Sequence, residues 1–182
     1  MATRGQTYQY FAYGSNLFTR RLQERTPSAA VIAVGRLREY VLRFHKVSKR
    51  NGLPESAKCD AWATGDPTES IWGAVYEIAA GEISKLNSAE GLGHGYDKKD
   101  VQVECEGGAV IDAFTYYVAD GQYIDSALKP FAWYKEYVVK GAIEHNLPSE
   151  YVDGIRDVPD CLDPDEDRRS GHEQFLADSR QL

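Results

Sequence analysis

The chain has 182 residues, of which 28 are acidic and 21 are basic, so its formal net charge is −7. This length predicts one domain with a single core, and a hydrophobic content of 42 % is ordinary for a globular protein. Nucleic acid and anionic membranes both require a basic surface, so the acid excess argues against either as a partner. Residues 1–4 do not begin a secretory leader and no run is apolar enough to span a bilayer, so we predict a cytoplasmic location.

The cysteines and the sequence motifs predict neither a metal nor a cofactor. Three cysteines lie far apart and form neither a disulfide framework nor a zinc-binding spacing, namely Cys59, Cys105 and Cys161. Nothing in the local sequence supports a catalytic pair of Cys and His. The chain lacks a P-loop, a G-x-S-x-G elbow, an H-E-x-x-H motif and a dinucleotide fingerprint. The acidic segment 160–167 lacks the central glycine of an EF-hand loop.

The N-terminal half is rich in β-forming residues. The predicted elements are, in chain order, a strand at 8–13, a turn at 14–16, a short helix at 19–25, one long or bent strand at 29–44 and a loop at 46–58. Gly35 is the expected bulge of the long strand. The loop is predicted because its residues are polar and include Asn51-Gly52.

The C-terminal half alternates strands with helices. The predicted elements are strands at 61–64 and 71–78, a short helix at 81–88, an irregular segment at 90–96, strands at 99–104 and 109–118, a helix at 130–145 and a short helix carrying Tyr151 and Ile155. Pro130 suits the first turn of the long helix, and Asn146 can end it in the left-handed conformation. Beyond Pro159 few apolar residues remain, so we expect a partly disordered surface tail with a short helix near Phe175.

These elements predict a single domain over residues 1–158 and a polar C-terminal tail over residues 159–182. No internal repeat and no linker divides the chain. A strand-rich order with inserted helices predicts an α+β fold with a mixed or barrel-like sheet.

The segment from Tyr10 to Leu17 leads from a strand through a glycine-containing turn into a helix. Such a turn exposes consecutive backbone N–H groups, which can bind a carboxylate or a developing oxyanion. Gly14 allows a ligand to approach the backbone closely. The alternative is a plain strand-to-helix turn in which Ser15 or Asn16 caps the helix.

Glu90 follows a short helical pattern and precedes a segment with three glycines. A carboxylate held there against an aromatic wall could take a proton in catalysis, and Tyr96 and Tyr134 are candidates for that wall. The alternative is a solvated glutamate, with the two tyrosines packed in the core.

Several segments together resemble the γ-glutamylcyclotransferase family. They occur in family order within residues 8–158 and are Tyr10-Phe11-Ala12-Tyr13-Gly14-Ser15-Asn16-Leu17, Pro27-Ser28-Ala29-Ala30, Ile71-Trp72-Gly73-Ala74-Val75, Ala89-Glu90-Gly91, Gly95-Tyr96, and Gly141-Ala142 to Leu147-Pro148 with Tyr151. The resemblance implies an α+β fold built on a mixed β-barrel with flanking helices.

The resemblance also implies a reaction and a set of site residues. The α-amine of a γ-glutamyl amino acid or peptide attacks its own γ-carbonyl, which gives 5-oxoproline and the free amino acid without metal or cofactor. Glu90 is implied as the general acid/base. The implied substrate-binding residues are Tyr10, Phe11, Ala12, Tyr13, Gly14, Ser15, Asn16, Tyr96 and Tyr134. The implied partner is a small γ-glutamyl molecule, bound by a monomer or a homodimer.

Within the superfamily, Asn16 after Tyr-Gly-Ser favours the branch that acts on γ-glutamyl amino acids and dipeptides. Two other functions stay open at this stage. One is a binding or interaction module that kept the fold and lost the chemistry. The other is a cyclotransferase for another γ-glutamyl conjugate, such as glutathione, a γ-glutamylamine or a natural product. The glycine-rich segment around His94 departs from the family pattern, so it leaves the substrate preference open.

Overall fold

The computed structural model describes residues 5–178, so the predicted absence of a leader at 1–4 and the last residues of the predicted tail, 179–182, lie outside the described range. The strands are β1 (Thr7–Ala12), β2 (Ala30–Arg38), β3 (Tyr40–Arg50), β4 (Leu53–Ala63), β5 (Ser70–Ala79), β6 (Asp97–Cys105) and β7 (Val110–Tyr117). The helices are α1 (Thr19–Gln23), α2 (Ile83–Glu90), α3 (Ala132–Glu144), α4 (Ser149–Arg156) and α5 (Glu166–Asp178).

Five of the strands close into a barrel in the order β1-β5-β2-β6-β7. The paired strands are antiparallel except β1 and β7, whose parallel contact joins Tyr10 to Phe114. Side chains such as Phe11, Val75 and Val103 are fully buried in the core. Helices flank the barrel, so the prediction of an α+β fold with a mixed β-barrel is confirmed.

The single long strand predicted at 29–44 and the loop predicted at 46–58 are both wrong. Glu39 has a φ of 65°, and this left-handed residue divides the segment into β2 and β3. Asn51 and Gly52 have φ of 51° and 81°, and they turn the chain so that β3 and β4 form a two-stranded hairpin. Polar residues dominate the segment, so hydrophobic alternation did not mark it as a strand pair.

Gly35 lies at a close crossing of strands, and the bulge predicted there is wrong. The register shift of β2 against β5 falls between Val31 and Ala33 instead. A Cβ atom at Gly35 would lie 2.5 Å from the carbonyl oxygen of Glu104 in β6. Glycine is therefore required at this position by the neighbouring backbone.

Helix α3 packs directly on the chain that follows β1. A Cβ atom at Gly141 would lie 2.5 Å from the carbonyl carbon of Leu17 and 2.5 Å from the backbone nitrogen of Phe18. The predicted helix is confirmed, and Asn146 follows it with a φ of 53°, as the sequence predicted. This backbone contact fixes the position of the turn between β1 and α1.

Helix α5 occupies much of the segment that was predicted to be partly disordered. The helix near Phe175 is confirmed, and the expectation of disorder is wrong for residues 166–178. His172 stacks on Trp133 of α3 with ring centroids 3.7 Å apart, and Arg168 pairs with buried Asp163 at 2.7 Å. Ring stacking and ion pairs hold the helix against the rest of the protein. A count of apolar residues does not detect such contacts, so the sequence composition predicted disorder. Between residues 5 and 178, no helix has the length and apolar character to cross a membrane.

Candidate active site

The turn after β1 presents a row of unpaired backbone donors. The N–H groups of Gly14, Ser15 and Asn16 donate no hydrogen bond to any residue in the described range, as is usual where a helical turn begins. A Cβ atom at Gly14 would lie 3.0 Å from the Cβ atom of Cys59 and 3.7 Å from the Tyr134 hydroxyl. Glycine therefore keeps this stretch of backbone open to a small anionic group.

Glu90 is the last residue of α2, and Gly91 ends that helix with a φ of 66°. The Glu90 side chain is only 15 % exposed. Asn16 Nδ2 donates to Glu90 Oε1 at 2.7 Å, and an Arg25 guanidinium nitrogen lies 3.3 Å from the same oxygen. The second oxygen, Oε2, has no hydrogen-bond partner among the described residues, so it can accept a proton from a ligand.

Asn16 connects the turn to the carboxylate. It is 4 % exposed, its amide nitrogen also donates to the Tyr10 hydroxyl at 3.2 Å, and its Oδ1 accepts from Arg25 at 2.9 Å. The side chains of Ser15 and Asn16 do not cap the 3-10 turn, so the capping role that was the alternative for these residues is not present. The amide instead orients Glu90.

Tyr96 and Tyr134 hold the backbone of Cys59 from two sides. The N–H group of Cys59 donates to the Tyr134 hydroxyl at 3.1 Å, and the Tyr96 hydroxyl donates to the Cys59 carbonyl oxygen. Burial raises the pKa of both tyrosines well above its ordinary value, so both hydroxyls stay neutral at physiological pH. The hairpin β3–β4 is thereby joined to α3 and to the segment that precedes β6.

These groups surround one pocket, with about 290 Å³ of empty space including its open mouth. Its lining residues are Tyr10, Tyr13, Gly14, Ser15, Asn16, Cys59, Glu90, Tyr96, Tyr116 and Tyr134. Eight of the ten residues predicted for the site thus come together, although they lie far apart in the sequence. Phe11 and Ala12 do not line the pocket because both are fully buried in the barrel core. The geometry therefore corrects the expectation that these two residues contact a ligand.

Comparisons with known proteins identify the family. Residues 70–155 match the model of the AIG2-like family. A γ-glutamylcyclotransferase from Bos taurus is 32 % identical over 161 residues, which cover 85 % of this chain and 80 % of the relative. The chain belongs to the γ-glutamylcyclotransferase family.

A second relative and a solved structure agree with this assignment. The γ-glutamylcyclotransferase from Mus musculus is 30 % identical over 161 residues, with the same coverage of 85 % and 80 %. A solved structure described as a γ-glutamyl cyclotransferase superposes with a TM-score of 0.80 at 26 % identity, covering 95 % of this chain and 99 % of that one. The family resemblance read from the sequence is therefore confirmed.

Three residues of the site are not predicted by the sequence. The sequence places Arg25 only at the end of a short predicted helix, and it does not connect Cys59 or Tyr116 with a pocket. Cys59 reaches the pocket because the segment before it forms β4 and not a loop. The ion pair of Arg25 with Glu90 spans 65 positions, and no local pattern signals it.

The site contains one carboxylate, several neutral phenols and a set of unpaired backbone donors. Burial raises the pKa of Cys59 to about 12, so its thiol is not a ready nucleophile. Within residues 5–178, no group of three or more His, Cys, Asp or Glu residues is arranged to hold a metal ion. The arrangement is suited to moving a proton through Glu90 while the backbone stabilises negative charge.

Proposed function

We propose that this protein converts γ-glutamyl amino acids or peptides to 5-oxoproline and the free amino acid. The relatives named γ-glutamylcyclotransferase support the reaction class, and the pocket supplies the groups that the reaction needs. Both reacting atoms belong to one molecule, so the main task of the site is to fold the substrate until its amine meets its carbonyl.

Glu90 acts as the base and then as the acid. Its free oxygen Oε2 takes a proton from the α-ammonium group, and the neutral amine forms a bond to the γ-carbonyl carbon. The bond from that carbon to the leaving nitrogen then breaks while the proton moves from Glu90 to the nitrogen. The attacking nitrogen still carries one extra proton after the new bond forms, and this proton also passes through Glu90 to the leaving nitrogen. The α-nitrogen thus loses two protons on going from ammonium to lactam N–H, and the leaving nitrogen gains two on going from amide N–H to ammonium, so atoms and charge balance.

The backbone donors of the turn stabilise the charge that develops in this step. Attack on the γ-carbonyl places a negative charge on its oxygen, and the unpaired N–H groups of Gly14 and Ser15 can donate to it. These N–H groups need little rearrangement during the reaction, because α3 fixes the turn through the close contact at Gly141. The neutral tyrosines form the remaining walls of the pocket.

One observation carries the proposal. A mostly buried carboxylate, fixed through one oxygen by Asn16 and Arg25, shares a small pocket with the unpaired donors of the turn. Such a carboxylate would also suit the binding of an ammonium group, but the relatives matched over most of the chain are named as cyclotransferases. The alternative of a binding module is therefore less well supported than catalysis.

The test is release of 5-oxoproline from γ-glutamyl-alanine, glutathione and γ-glutamyl-lysine by the wild type, Glu90→Gln and Glu106→Gln. We expect release from γ-glutamyl-alanine by the wild type, and a loss of about 10²–10⁴-fold in Glu90→Gln, the range of general acid–base catalysis. Glu106 is exposed and outside the pocket, so Glu106→Gln should keep full activity.

Each other outcome has a definite meaning. No release from any substrate by the folded wild type would favour the binding module, and release from glutathione or γ-glutamyl-lysine alone would favour a different conjugate. Equal release by Glu90→Gln and the wild type would show that another group is the base. Circular dichroism of both variants verifies that they are folded.

A further inference from the structure

The pocket lies in a positively charged part of an acidic protein. The whole chain has a net charge of −7, yet basic side chains lie against the rings of the pocket or close to Glu90, namely Arg21, Arg25, Lys46 and Lys58. Arg25 is paired with Glu90. The other three form no ion pair with any residue in the range 5–178.

Lys58 is a partly buried cation held only by aromatic rings. Its Nζ lies 4.2 Å from the ring centre of Tyr134, a pocket residue, and 4.7 Å from that of Trp133. Burial and, to a smaller extent, the neighbouring charge of Arg21 lower its pKa to about 7. An unpaired ammonium group in such a place carries a cost that a bound anion would remove.

Lys46 holds the corresponding position on the other tyrosine. Its Nζ lies 4.9 Å from the ring centre of Tyr96, and a Cβ atom at Gly95 would be 3.2 Å away from it. Burial lowers the pKa of Lys46, and the nearby Glu90 carboxylate opposes this effect. Lys46 is therefore close enough to interact electrostatically with the Glu90 carboxylate, although the two residues form no ion pair.

The two lysines are also direct partners across the hairpin β3–β4. Lys46 pairs with Lys58 in the register, next to Cys59, which lines the pocket. Like charges directly opposite each other destabilise a strand pair. A local arrangement that costs stability and borders a binding pocket is typical of a functional site.

We propose that Lys46 and Lys58, with Arg21 beside Lys58, select substrates whose leaving group is negatively charged. This inference rests on the proposed function and adds the class of leaving group to it. Glu90 and the turn bind the γ-glutamyl part, while the two lysines neutralise a carboxylate on the departing amino acid. A leaving group with a second carboxylate gains more from them, and an uncharged amide or an amine gains nothing.

The test compares three substrates that differ in the charge of the leaving group, namely γ-glutamyl-glutamate, γ-glutamyl-alanine and γ-glutamyl-alaninamide. For the wild type we expect kcat/KM to fall in that order, by about tenfold between alanine and alaninamide. Lys46→Met and Lys58→Met should reduce that ratio to about threefold or less. Lys58→Arg keeps the charge and should keep the preference.

Lys99→Met is the matched control. Lys99 also lies over two rings, those of Tyr40 and Tyr117, but neither of these residues lines the pocket. This variant should keep the wild-type ratio. Thermal unfolding of all variants verifies that each one is folded, and the wild-type preference tests the inference even where a lysine variant does not fold.

Equal kcat/KM values for the three substrates in the wild type would overturn the inference and leave the proposed function intact. The same holds for a preference that survives in both Lys46→Met and Lys58→Met. Failure of the wild type to release 5-oxoproline from any of the three would instead overturn the proposed function, and the inference with it.

Discussion

At the scale of single residues, Asn16 orients the Glu90 carboxylate in the candidate site. Its amide nitrogen donates hydrogen bonds to Glu90 and Tyr10, and its amide oxygen accepts one from Arg25. A reversed amide would place an oxygen against the carboxylate, so these partners define its orientation. Because Asn16 and Arg25 both bind Oε1, the other carboxylate oxygen is directed by them and remains free.

Asn16→Ala is therefore expected to lower activity without unfolding the protein. A hydrogen bond to a charged group contributes about 1.5–3 kcal/mol, which corresponds to about 10- to 100-fold in rate if it is needed to orient Glu90. We expect this loss in kcat, with a smaller change in KM, in assays of 5-oxoproline release.

Gln102→Ala is the control for this prediction. Its amide also donates to a carboxylate, that of Asp112, at 3.1 Å, but the pair is exposed and lies outside the pocket. This variant should behave as the wild type. An unchanged kcat in Asn16→Ala would mean that Glu90 is positioned by Arg25 and its own helix alone.

At the scale of secondary structure elements, the contact between α3 and the turn after β1 is decisive. Gly141 is buried in α3, where glycine is intrinsically unfavourable, and no side chain fits between the two backbones. Glycine lowers the intrinsic stability of the helix here, but it allows the backbones of α3 and the turn to pack closely. The same contact keeps the unpaired N–H groups of Gly14 and Ser15 in place.

Gly141→Ala and Gly154→Ala should have opposite effects. A methyl group at Gly141 would lie 2.5 Å from backbone atoms of Leu17 and Phe18, so we expect a loss of about 1–3 kcal/mol in the free energy of unfolding. Gly154 in α4 has nothing within 4 Å of its Cβ position, so alanine there should stabilise by about 0.5–1 kcal/mol. Urea denaturation measures both, and a neutral Gly141→Ala would contradict the close contact.

The same elements explain what could be predicted from the sequence. The strands β1, β5, β6 and β7 and the helix α3 follow from local patterns of apolar residues, and the family resemblance implied Glu90, Tyr96 and Tyr134 as site residues. The hairpin β3–β4 was not predicted because its strands carry many charged and polar residues, including Lys46 and Lys58. These lysines are accommodated over aromatic rings that come from distant parts of the chain, and no local pattern contains that information.

At the scale of the whole molecule, α5 joins the C-terminal segment to the elements that carry the pocket. Arg168 forms a bidentate ion pair with Glu55 of β4, with both N···O distances 3.0 Å, and it also donates a hydrogen bond to Asp163. Burial raises the pKa of Asp163, but the hydrogen bonds from Arg168 and Trp133 outweigh this effect and hold it at about 2. The ion pair of Arg168 with Asp163 therefore persists in mild acid.

His172 makes the docking of α5 sensitive to acid. Its ring stacks on Trp133, and its Nδ1 atom lies 3.0 Å from the Tyr137 hydroxyl. Burial, together with the charges of Arg21, Lys58 and Arg168, lowers the pKa of His172 to about 4, although Asp163 opposes the shift. The unfolded chain, with a histidine pKa of about 6.5, gains a proton between pH 6.5 and 4 that the folded protein does not.

The free energy of unfolding should therefore fall as the pH decreases through this window, and His172→Phe should reduce the fall. Phenylalanine keeps a ring against Trp133 and cannot titrate, so its effect on packing is the same at both ends of the window. Because His172 is only half-buried, water screens part of the effect, and we expect the difference between pH 7 and 4 to shrink by about 1–2 kcal/mol. Urea denaturation of both proteins at the two pH values measures it, since all other groups titrate alike in both. Equal losses of stability would mean that His172 gains its proton in the folded protein as readily as in the unfolded chain, and that its burial does not make the docking of α5 sensitive to acid.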